Sequence, residues 1–229
     1  MEENIFDRVA EFYDEIFPKH IYEYYISKRI NFIRKICPDT NIKILDVGCG
    51  TGNLIYRLSK YGYNVLGIDI SSKMVEIANQ KLPGKVKIGN ILSLDFQDNI
   101  FDLVIAIVML HHLENYKNVK KAIKEMVRVT KKSGIILIWE HNPLNPYWYL
   151  LMKKVPQDTG KEKLIPVSFI IKSLKENGIV IEKIMKSGFA PEFVPQWCLN
   201  FIDFFEKGIQ KIFPLNLFLA HNIIVGRKE

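Results

Sequence analysis

The pattern of apolar and polar residues divides the chain into alternating predicted helices and strands. Apolar residues recur at helical spacing over residues 4–17 and 19–36, and Pro18 separates the two helices because a helix interior does not tolerate proline. Short apolar runs bounded by turn residues predict buried parallel strands, and helical periodicity fills the intervals between them. The predicted strands cover residues 41–47, 64–68, 85–88, 101–108 and 134–139, and the predicted helices cover residues 53–61, 71–80 and 117–129.

This alternation predicts a parallel sheet with helices on both faces. The pattern loosens after residue 140, where we expect a turn-rich loop at 141–146, a helix at 167–177 and two late strands at 179–186 and 221–227. Residues 191–219 are the most apolar and aromatic stretch. No repeat or linker divides the chain. We therefore expect one domain with an N-terminal helical cap (1–40), a core (41–140) and a second half (141–229) that contains an insertion at 191–219.

Composition narrows the class of protein. A chain of 229 residues that is 48% hydrophobic can bury a sizeable core, which excludes extensive disorder. The net charge of +7 comes from lysines spread along the chain, which favours a solvated surface over nucleic-acid binding and leaves attraction to an anionic membrane or substrate open. The three cysteines are too far apart for a disulfide framework or a metal site. The absence of a signal core or a long apolar run predicts a cytoplasmic protein.

The strongest chemical signal is the segment DVGCGTG at residues 46–52, between a predicted strand and a predicted helix. Its glycines let the backbone approach a ligand closely, and the carboxyl end of the first strand is where such sheets bind ligands. Asp69 ends the next strand, where a carboxylate can accept both hydroxyl hydrogens of a ribose. We therefore predict a cofactor that contains adenosine. The alternative is a tight turn with Asp69 as a helix cap.

The position of the third glycine argues against a dinucleotide. A dinucleotide fingerprint requires glycine at position 53, where this chain has Asn53. Asp46 would repel a pyrophosphate, whereas it suits a cationic ligand.

The motif LDVGCGTG followed by GIDIS resembles the class I S-adenosylmethionine-dependent methyltransferases, over about residues 6–139. The resemblance implies a Rossmann-like α/β fold with a seven-stranded sheet in the order 3-2-1-4-5-7-6, in which the last strand is antiparallel. It also implies S-adenosylmethionine as cofactor, S-adenosylhomocysteine as product and no metal.

The resemblance carries specific residues with it. Asp46, Gly48 and Gly50 would line the methionine part of the cofactor, and Asp69 would bind the ribose. The other residues that it places at the cofactor are Tyr13, Cys49, Gly52, Ile70, Met74, Asn90, Ile91 and Ile107. Ile70 or Met74 would flank the adenine, and Asn90 replaces the usual aspartate with an amide oxygen that can still accept. Tyr13 resembles a tyrosine that closes over the cofactor; the alternative is a surface aromatic.

Candidate catalytic residues follow the fourth and fifth strands. His111 and His112 would lie beside the cofactor, where a histidine has a suitable pKa for a general base. Glu140 and His141 leave the fifth strand at the same edge of the sheet. Structural alternatives are packing or hydrogen bonding for the histidine pair, and a rigid turn for HNPLNP at residues 141–146.

The chain as a whole resembles a narrower group of uncharacterised methyltransferases. The segments that carry this resemblance are FDRVAEFYDEIFPKHIYEYYISKR near the start and EHNPLNP at residues 140–146. That group points to a glycan- or lipid-linked acceptor. Two other functions stay open at this point: a non-catalytic partner subunit that keeps the cofactor fold, and a nicotinamide-dependent oxidoreductase.

The insertion contains one amphipathic pattern. Leu199, Ile202, Phe205, Ile209 and Ile212 repeat at helical spacing, opposite Asp203, Glu206, Lys207, Gln210 and Lys211. This helix could pack on the sheet, form a homodimer contact, cover the acceptor as a lid, or rest on a membrane surface. The aromatic residues Phe193, Trp197, Phe201, Phe204, Phe205 and Phe213 predict a partly apolar acceptor beneath it. Both a monomer and a homodimer remain open.

Overall fold

A single seven-stranded sheet forms the centre of the protein, in a computed structural model that describes residues 5–158, 160 and 162–229. The strands are β1 (Lys43–Val47), β2 (Asn64–Asp69), β3 (Val86–Ile88), β4 (Phe101–Ile107), β5 (Thr130–His141), β6 (Ile179–Ser187) and β7 (His221–Lys228). Their order is β3-β2-β1-β4-β5-β7-β6. Strands β1 to β5 are parallel, and β7 is antiparallel to β5 and β6. The predicted Rossmann-like fold and strand order are confirmed.

Helices cover both faces of this sheet. They are α1 (Ile5–Val9), α2 (Lys19–Ile36), α3 (Asn53–Lys60), α4 (Ser72–Lys81), α5 (Tyr116–Val129), α6 (Tyr147–Leu151), α7 (Val167–Lys175) and α8 (Leu199–Ile209). Helices α2, α3 and α4 contribute Ile30, Leu58 and Ala78 to the core on one face. Helices α5 and α7 contribute Ile123 and Leu174 to the core on the other. The apolar strands are thus buried from both sides, as parallel sheets require.

The N-terminal segment differs from its prediction. Instead of one helix over residues 4–17, α1 is followed by a 3₁₀ helix at Ala10–Glu15; residue 4 lies outside the described residues. The 3₁₀ turn brings Asp14 to the core, where it accepts a hydrogen bond from the Thr51 hydroxyl at 2.7 Å. Contacts to the core therefore replace the regular helix that the periodicity favoured.

Strand β5 is longer than its prediction of residues 134–139. It starts at Thr130, which pairs with Phe101, and a register shift then aligns Ile135 with Leu103. The shift brings Gly134 against Thr130, because a side-chain Cβ on this glycine would lie 2.8 Å from the Thr130 methyl. The short helix α6 was also not predicted, since its five residues are too few to show a period.

The antiparallel direction of β7 positions the functional site. Its first residue, His221, pairs with His141 at the end of β5, so both lie at the edge where β1, β2 and β4 also end. Within the described residues, no helix is both long and apolar enough to cross a bilayer.

Candidate active site

The glycine loop joins β1 to α3 and is held against β2. The amides of Gly48 and Cys49 donate to the Ile68 carbonyl at 2.8 and 2.9 Å. Gly48, Gly50 and Gly52 have φ values of 74°, 54° and 74°, which disfavour any side chain. A Cβ on Gly52 would also lie 2.8 Å from that of Ala78. The loop is therefore rigid and presents bare backbone to a ligand.

Cys49 packs inside this loop. Its sulfur occupies the space where a side chain on Gly67 would lie, 2.7 Å from the position of that missing Cβ. Burial raises the pKa of the Cys49 thiol well above its ordinary value, so the sulfur stays protonated. Size, rather than nucleophilic chemistry, explains a cysteine at this position.

Asp69 connects the loop to the next helix. One carboxylate oxygen accepts from the Gly50 amide at 2.8 Å and the other from the Ser71 amide at 3.0 Å. Burial raises the pKa of Asp69, against the effect of these hydrogen bonds. Each carboxylate oxygen keeps a second lone pair, so the group can still accept the two hydroxyls of a ribose. Ser71 caps α4, with its hydroxyl accepting from the Met74 amide.

A carboxylate, Asp46, and a guanidinium, Arg29, lie close to the start of the glycine loop. Burial, together with the charge of Asp69, raises the pKa of Asp46 to about 7, while Arg29 lowers it. Arg29 comes from α2 and lines the cavity beside Asp46. Its Nε is buried without a hydrogen-bond partner among the described residues. A carboxylate beside an unpartnered guanidinium fits a ligand that carries both an ammonium and a carboxylate group.

Arg29 had no motif to reveal it. The only available signal was spacing: Tyr22, Tyr25 and Arg29 recur at three to four residues, and all three line the cavity. An arginine in register with a buried aromatic stripe was the clue that the sequence offered.

The cavity has a volume of about 480 Å³ and separates the predicted cofactor residues into two groups. Those that line it are Tyr13, Asp46, Gly48, Cys49, Gly50 and Ile107. Those that lie outside it are Gly52, Asp69, Ile70, Met74, Asn90 and Ile91. The structure thus brings together the residues expected at the methionine end, and leaves those expected around the adenosine on the β2–β3 side of the loop.

The adenosine-side residues have distinct environments. Ile70 is exposed, and Asn90 is exposed with its side-chain oxygen accepting from the Leu92 amide at 2.8 Å. Met74 is buried and packs with Val9 of α1, and Ile91 is buried in the core. Ile70 and Asn90 are therefore available to a ligand at the surface, whereas Met74 contacts the N-terminal segment.

That N-terminal segment covers the loop. The Tyr13 ring lies 3.7 Å from the position that a Cβ on Gly50 would take. Burial and the charge of Asp69 raise the pKa of Tyr13 to about 12, so its hydroxyl stays protonated. Asp7 accepts hydrogen bonds from the Ser71 hydroxyl at 2.6 Å and the Lys73 amide at 3.1 Å. Tyr13 is therefore half-buried and lines the cavity beside the glycine loop.

A buried histidine cluster forms the opposite wall of the cavity. Glu140 accepts three hydrogen bonds: from the amides of Leu110 and His141, both at 2.8 Å, and from the Nδ1 of His111 at 2.7 Å. This contact makes Nδ1 of His111 the donor and leaves Nε2 as the basic nitrogen. His111, His112 and His141 all line the cavity, while Glu140 lies behind His111.

The histidines differ in pKa. Burial alone would lower the pKa of His111, but the charge and hydrogen bond of Glu140 outweigh it and leave the value raised. Burial and the nearby His111 lower the pKa of His112 to about 3. Burial also lowers the pKa of His141 and His221 well below the ordinary value. His111 is therefore the most basic histidine in the cluster.

Two residues of this cluster were not found from the sequence. His221 begins β7, and Trp148 of α6 stacks on His141 with ring centroids 3.6 Å apart. His221 carries no motif, and its proximity to His141 follows only from the antiparallel pairing of β7. The aromatic residues Phe17, Tyr25, Tyr147, Trp148, Phe189, Phe193 and Phe218 complete the walls.

Two groups of side chains have donor atoms close enough to hold a metal ion. One is His111, His112 and Asp158, and the other is His111, Glu140 and His141, each with donor atoms within 4.8 Å of one another. In the second group Glu140 already accepts from His111 Nδ1, so an ion held through that nitrogen would displace the contact.

The aromatic residues of the insertion mostly face away from the cavity. Of the six that predicted an acceptor beneath this segment, only Phe193 lines the cavity. Trp197, Phe201, Phe204, Phe205 and Phe213 are exposed.

Comparisons with known proteins show similarity to methyltransferases. Residues 45–138 match the family model described as a methyltransferase domain. The chain is 26% identical over 231 residues to 2-methyl-6-phytyl-1,4-hydroquinone methyltransferase of Synechocystis sp., which covers 83% of this chain and 71% of that protein. It is 31% identical over 147 residues to demethylmenaquinone methyltransferase of Thermotoga maritima, which covers 62% of each. The chain spans only 53% to 62% of the length of three of its first curated relatives.

Among solved structures, one similar protein comes from Thermotoga maritima and is described as an S-adenosylmethionine-dependent methyltransferase and possible histamine N-methyltransferase. Its TM-score is 0.72 at 16% identity, over 98% of both chains.

Proposed function

Because the chain belongs to the class I S-adenosylmethionine-dependent methyltransferases, we propose that it methylates a hydroxylated aromatic ring that carries an apolar substituent. The observation that carries this proposal is the placement of His111, which is oriented by Glu140 and lies in an aromatic cavity that begins at the glycine loop. The sequence relatives that act on a hydroquinone and on demethylmenaquinone support the same class of acceptor. Of the two kinds of acceptor expected from the sequence, glycan-linked and lipid-linked, we propose the lipid-linked kind.

The residues around the loop fit the cofactor. We infer that Asp46 faces the positive charge of the methionine part and that Arg29 pairs with its carboxylate, which gives the unpartnered guanidinium a partner. Asp69 would accept the ribose hydroxyls. A pyrophosphate would meet the carboxylate of Asp46 instead, which argues against the nicotinamide alternative. The cofactor supplies a methyl group already activated by the sulfonium charge.

The protein then has to position the acceptor and remove a proton. His111 would accept the hydroxyl proton of the acceptor at Nε2, and Glu140 would stabilise the resulting imidazolium. The phenolate is the nucleophile, either at oxygen or at the ring carbon beside it. The new bond to the methyl carbon would form as the sulfur–methyl bond breaks, with S-adenosylhomocysteine as the leaving group. Attack by the ring carbon would also release the proton of that carbon, which restores the aromatic ring. The aromatic walls hold the ring and exclude water.

Transfer of labelled methyl groups tests this function. We expect incorporation into 2-methyl-6-phytyl-1,4-hydroquinone or a related prenylated hydroquinone, and far less into catechol, which lacks the apolar substituent. For His111→Ala we expect a loss of about 10²- to 10⁴-fold in kcat, the range of a general base. Activity of the wild type should rise with pH through the raised pKa of His111, because only the neutral imidazole accepts a proton.

His20→Gln is the matched control, since His20 lies outside the cavity and bonds to the Val194 carbonyl. It should keep the pH profile. S-adenosylhomocysteine affinity should change little in either variant. Normal turnover by His111→Ala would contradict the role of His111, and methylation of polar phenols alone would contradict the acceptor class.

A further inference from the structure

The insertion between β6 and β7 exposes an unusual amount of apolar surface. On α8, Phe201, Phe204 and Phe205 are 63%, 73% and 58% exposed, and the flanking Trp197 and Phe213 are 74% and 76% exposed. We call the exposed apolar side chains of residues 193–218 the aromatic ridge. Contiguous exposed apolar surface of this kind marks a contact with a protein or a membrane.

Helix α8 directs Glu206 toward the protein and its three phenylalanines toward solvent. Glu206 is 1% exposed and accepts hydrogen bonds from Lys28 Nζ and from the Ser187 hydroxyl, both at 2.7 Å. Asp203 lies 3.5 Å from the same Lys28. An amphipathic helix on a protein in water normally buries the opposite face. Three polar contacts therefore fix the helix with Phe201, Phe204 and Phe205 outward, so the exposure of these side chains is built into the fold.

The charges around the ridge favour an anionic partner. Lys211 lies just beyond α8. Lys153 and Lys154 follow α6, and Asn145, two residues before α6, donates to the Phe218 carbonyl of the ridge segment. In the part of the chain that the structure describes, none of these three exposed lysines forms an ion pair.

The acidic residues of the same region are engaged within the protein. Asp203 and Glu206 pair with Lys28, Asp203 also pairs with Lys207, and Glu192 accepts from the Tyr147 hydroxyl. Among the described residues of this region, the three lysines without an ion pair outnumber Glu192, the carboxylate without a cationic partner, so the excess charge beside the ridge is positive. A two-fold contact through the ridge would bring the positive charge of both copies to one interface, whereas anionic lipid headgroups attract these lysines.

We propose that the aromatic ridge inserts into the interface of an anionic bilayer and that the cavity opens there. Phe193 and Phe218 belong to the ridge and also line the cavity, so the ridge forms the mouth of the cavity. An acceptor with an apolar substituent then enters from the lipid phase without crossing water. The docking is inferred from the exposed residues of the ridge and the nearby lysines, whereas this route for the acceptor rests on the proposed function.

Co-sedimentation with vesicles tests the docking. We expect the protein to bind vesicles of phosphatidylcholine with phosphatidylglycerol, and to bind much less to pure phosphatidylcholine or at high salt. The double variant Phe201→Ser/Phe204→Ser should lose at least about fivefold in partitioning, because both side chains are apolar anchors. Lys153→Glu/Lys154→Glu should weaken binding to the anionic vesicles only.

Tyr61→Ser is the matched control. Tyr61 is an exposed aromatic residue at the carboxyl end of α3, on the opposite edge of the sheet, and its replacement should leave vesicle binding unchanged. All variants should keep their affinity for S-adenosylhomocysteine, which shows that they are folded. Equal binding by the wild type and the Phe201→Ser/Phe204→Ser variant would overturn the proposal. A dimer that this variant dissociates, without vesicle binding by the wild type, would overturn it in favour of a second copy of the chain.

Methyl transfer separates this inference from the proposed function. With acceptor embedded in anionic vesicles, the Phe201→Ser/Phe204→Ser variant should lose activity, and with acceptor in detergent micelles it should match the wild type. Transfer in detergent without any vesicle binding would overturn the docking and keep the function. Vesicle binding without transfer to any prenylated hydroquinone would overturn the function and keep the docking.

Discussion

Asp46 is the residue whose ionisation decides how well the cavity holds a cation. It is 3% exposed and lies between the like charge of Asp69 and the opposite charge of Arg29. With a pKa of about 7, the free carboxyl is partly protonated near neutral pH. A bound ligand with positive charge favours the carboxylate, so binding and deprotonation are coupled.

We therefore expect the affinity for S-adenosylmethionine to increase with pH and to level off above the pKa of Asp46. Below that pKa the dissociation constant should change by up to about tenfold for each pH unit, the limit for one coupled proton. Calorimetry across this range measures the effect. Asp46→Asn should bind weakly and without this pH dependence. Asp95→Asn, at an exposed carboxyl, should retain it. A flat profile for the wild type would show that Asp46 does not face the cation.

The residues found from the sequence share one property: their roles follow from local chain geometry. Gly48, Gly50 and Asp69 each sit at a fixed distance from the end of a strand, so a strand–loop–helix pattern is sufficient to place them. Arg29 and His221 come to the cavity from elements far along the chain, through the packing of α2 and the pairing of β7. His221 has no local pattern, and for Arg29 the only local signal is its spacing with Tyr22 and Tyr25, which does not by itself identify a ligand-binding residue.

At the scale of the elements, the N-terminal segment is distant from the glycine loop in sequence but packs over it. Asp14 accepts from the Thr51 hydroxyl at 2.7 Å and from Lys81 Nζ at 3.2 Å, which fixes the 3₁₀ turn over the loop. Tyr13 immediately precedes Asp14 on this turn. The loss of the Asp14 contacts should therefore loosen the covering of the cofactor more than it affects the sheet.

For Asp14→Ala we expect the binding free energy of S-adenosylhomocysteine to weaken by about 1 kcal/mol, the typical value of one hydrogen bond. Trypsin should cleave after Arg8 faster in this variant, because the segment opens more often. The neighbouring Glu15→Ala, at an exposed position, serves as control and should match the wild type in both measurements. Unchanged affinity together with unchanged cleavage would mean that the turn closes without Asp14.

Helix α8 shows why periodicity predicts an element better than its orientation. The pattern of apolar residues gave the helix, and the structure has it at Leu199–Ile209. The choice of buried face depends on Lys28 and Ser187, which lie 178 and 19 residues away from Glu206. A hydrophobic pattern does not indicate such polar partners. It therefore could not distinguish a helix packed on the sheet from a lid or a helix at a membrane surface.

At the scale of the whole molecule, the sheet is continuous only when the last strand is in place. Strand β7 is near the end of the chain but lies between β5 and β6, paired with both. Its residues Ile223, Ile224 and Val225 are buried on both faces of the sheet. The cavity likewise draws on the N-terminal cap, the core and the second half, through Tyr13, Asp46 and His221 respectively. The segment that matches the family model, residues 45–138, therefore holds only part of the site.

A chain that ends at Leu219 should consequently lose both its cooperative fold and its binding of S-adenosylhomocysteine, although it keeps every predicted cofactor residue. Burial of the three apolar side chains of β7 contributes about 1.5–3 kcal/mol each, which together is comparable with the whole stability of a typical domain, about 5–15 kcal/mol. Thermal unfolding followed by circular dichroism, with calorimetry of ligand binding, measures both losses. A chain that ends at Lys228 lacks only Glu229 and should behave as the wild type. If the shorter chain still unfolds cooperatively and binds the ligand, the cofactor site is independent of β7, and the coupling between the last strand and the glycine loop does not exist.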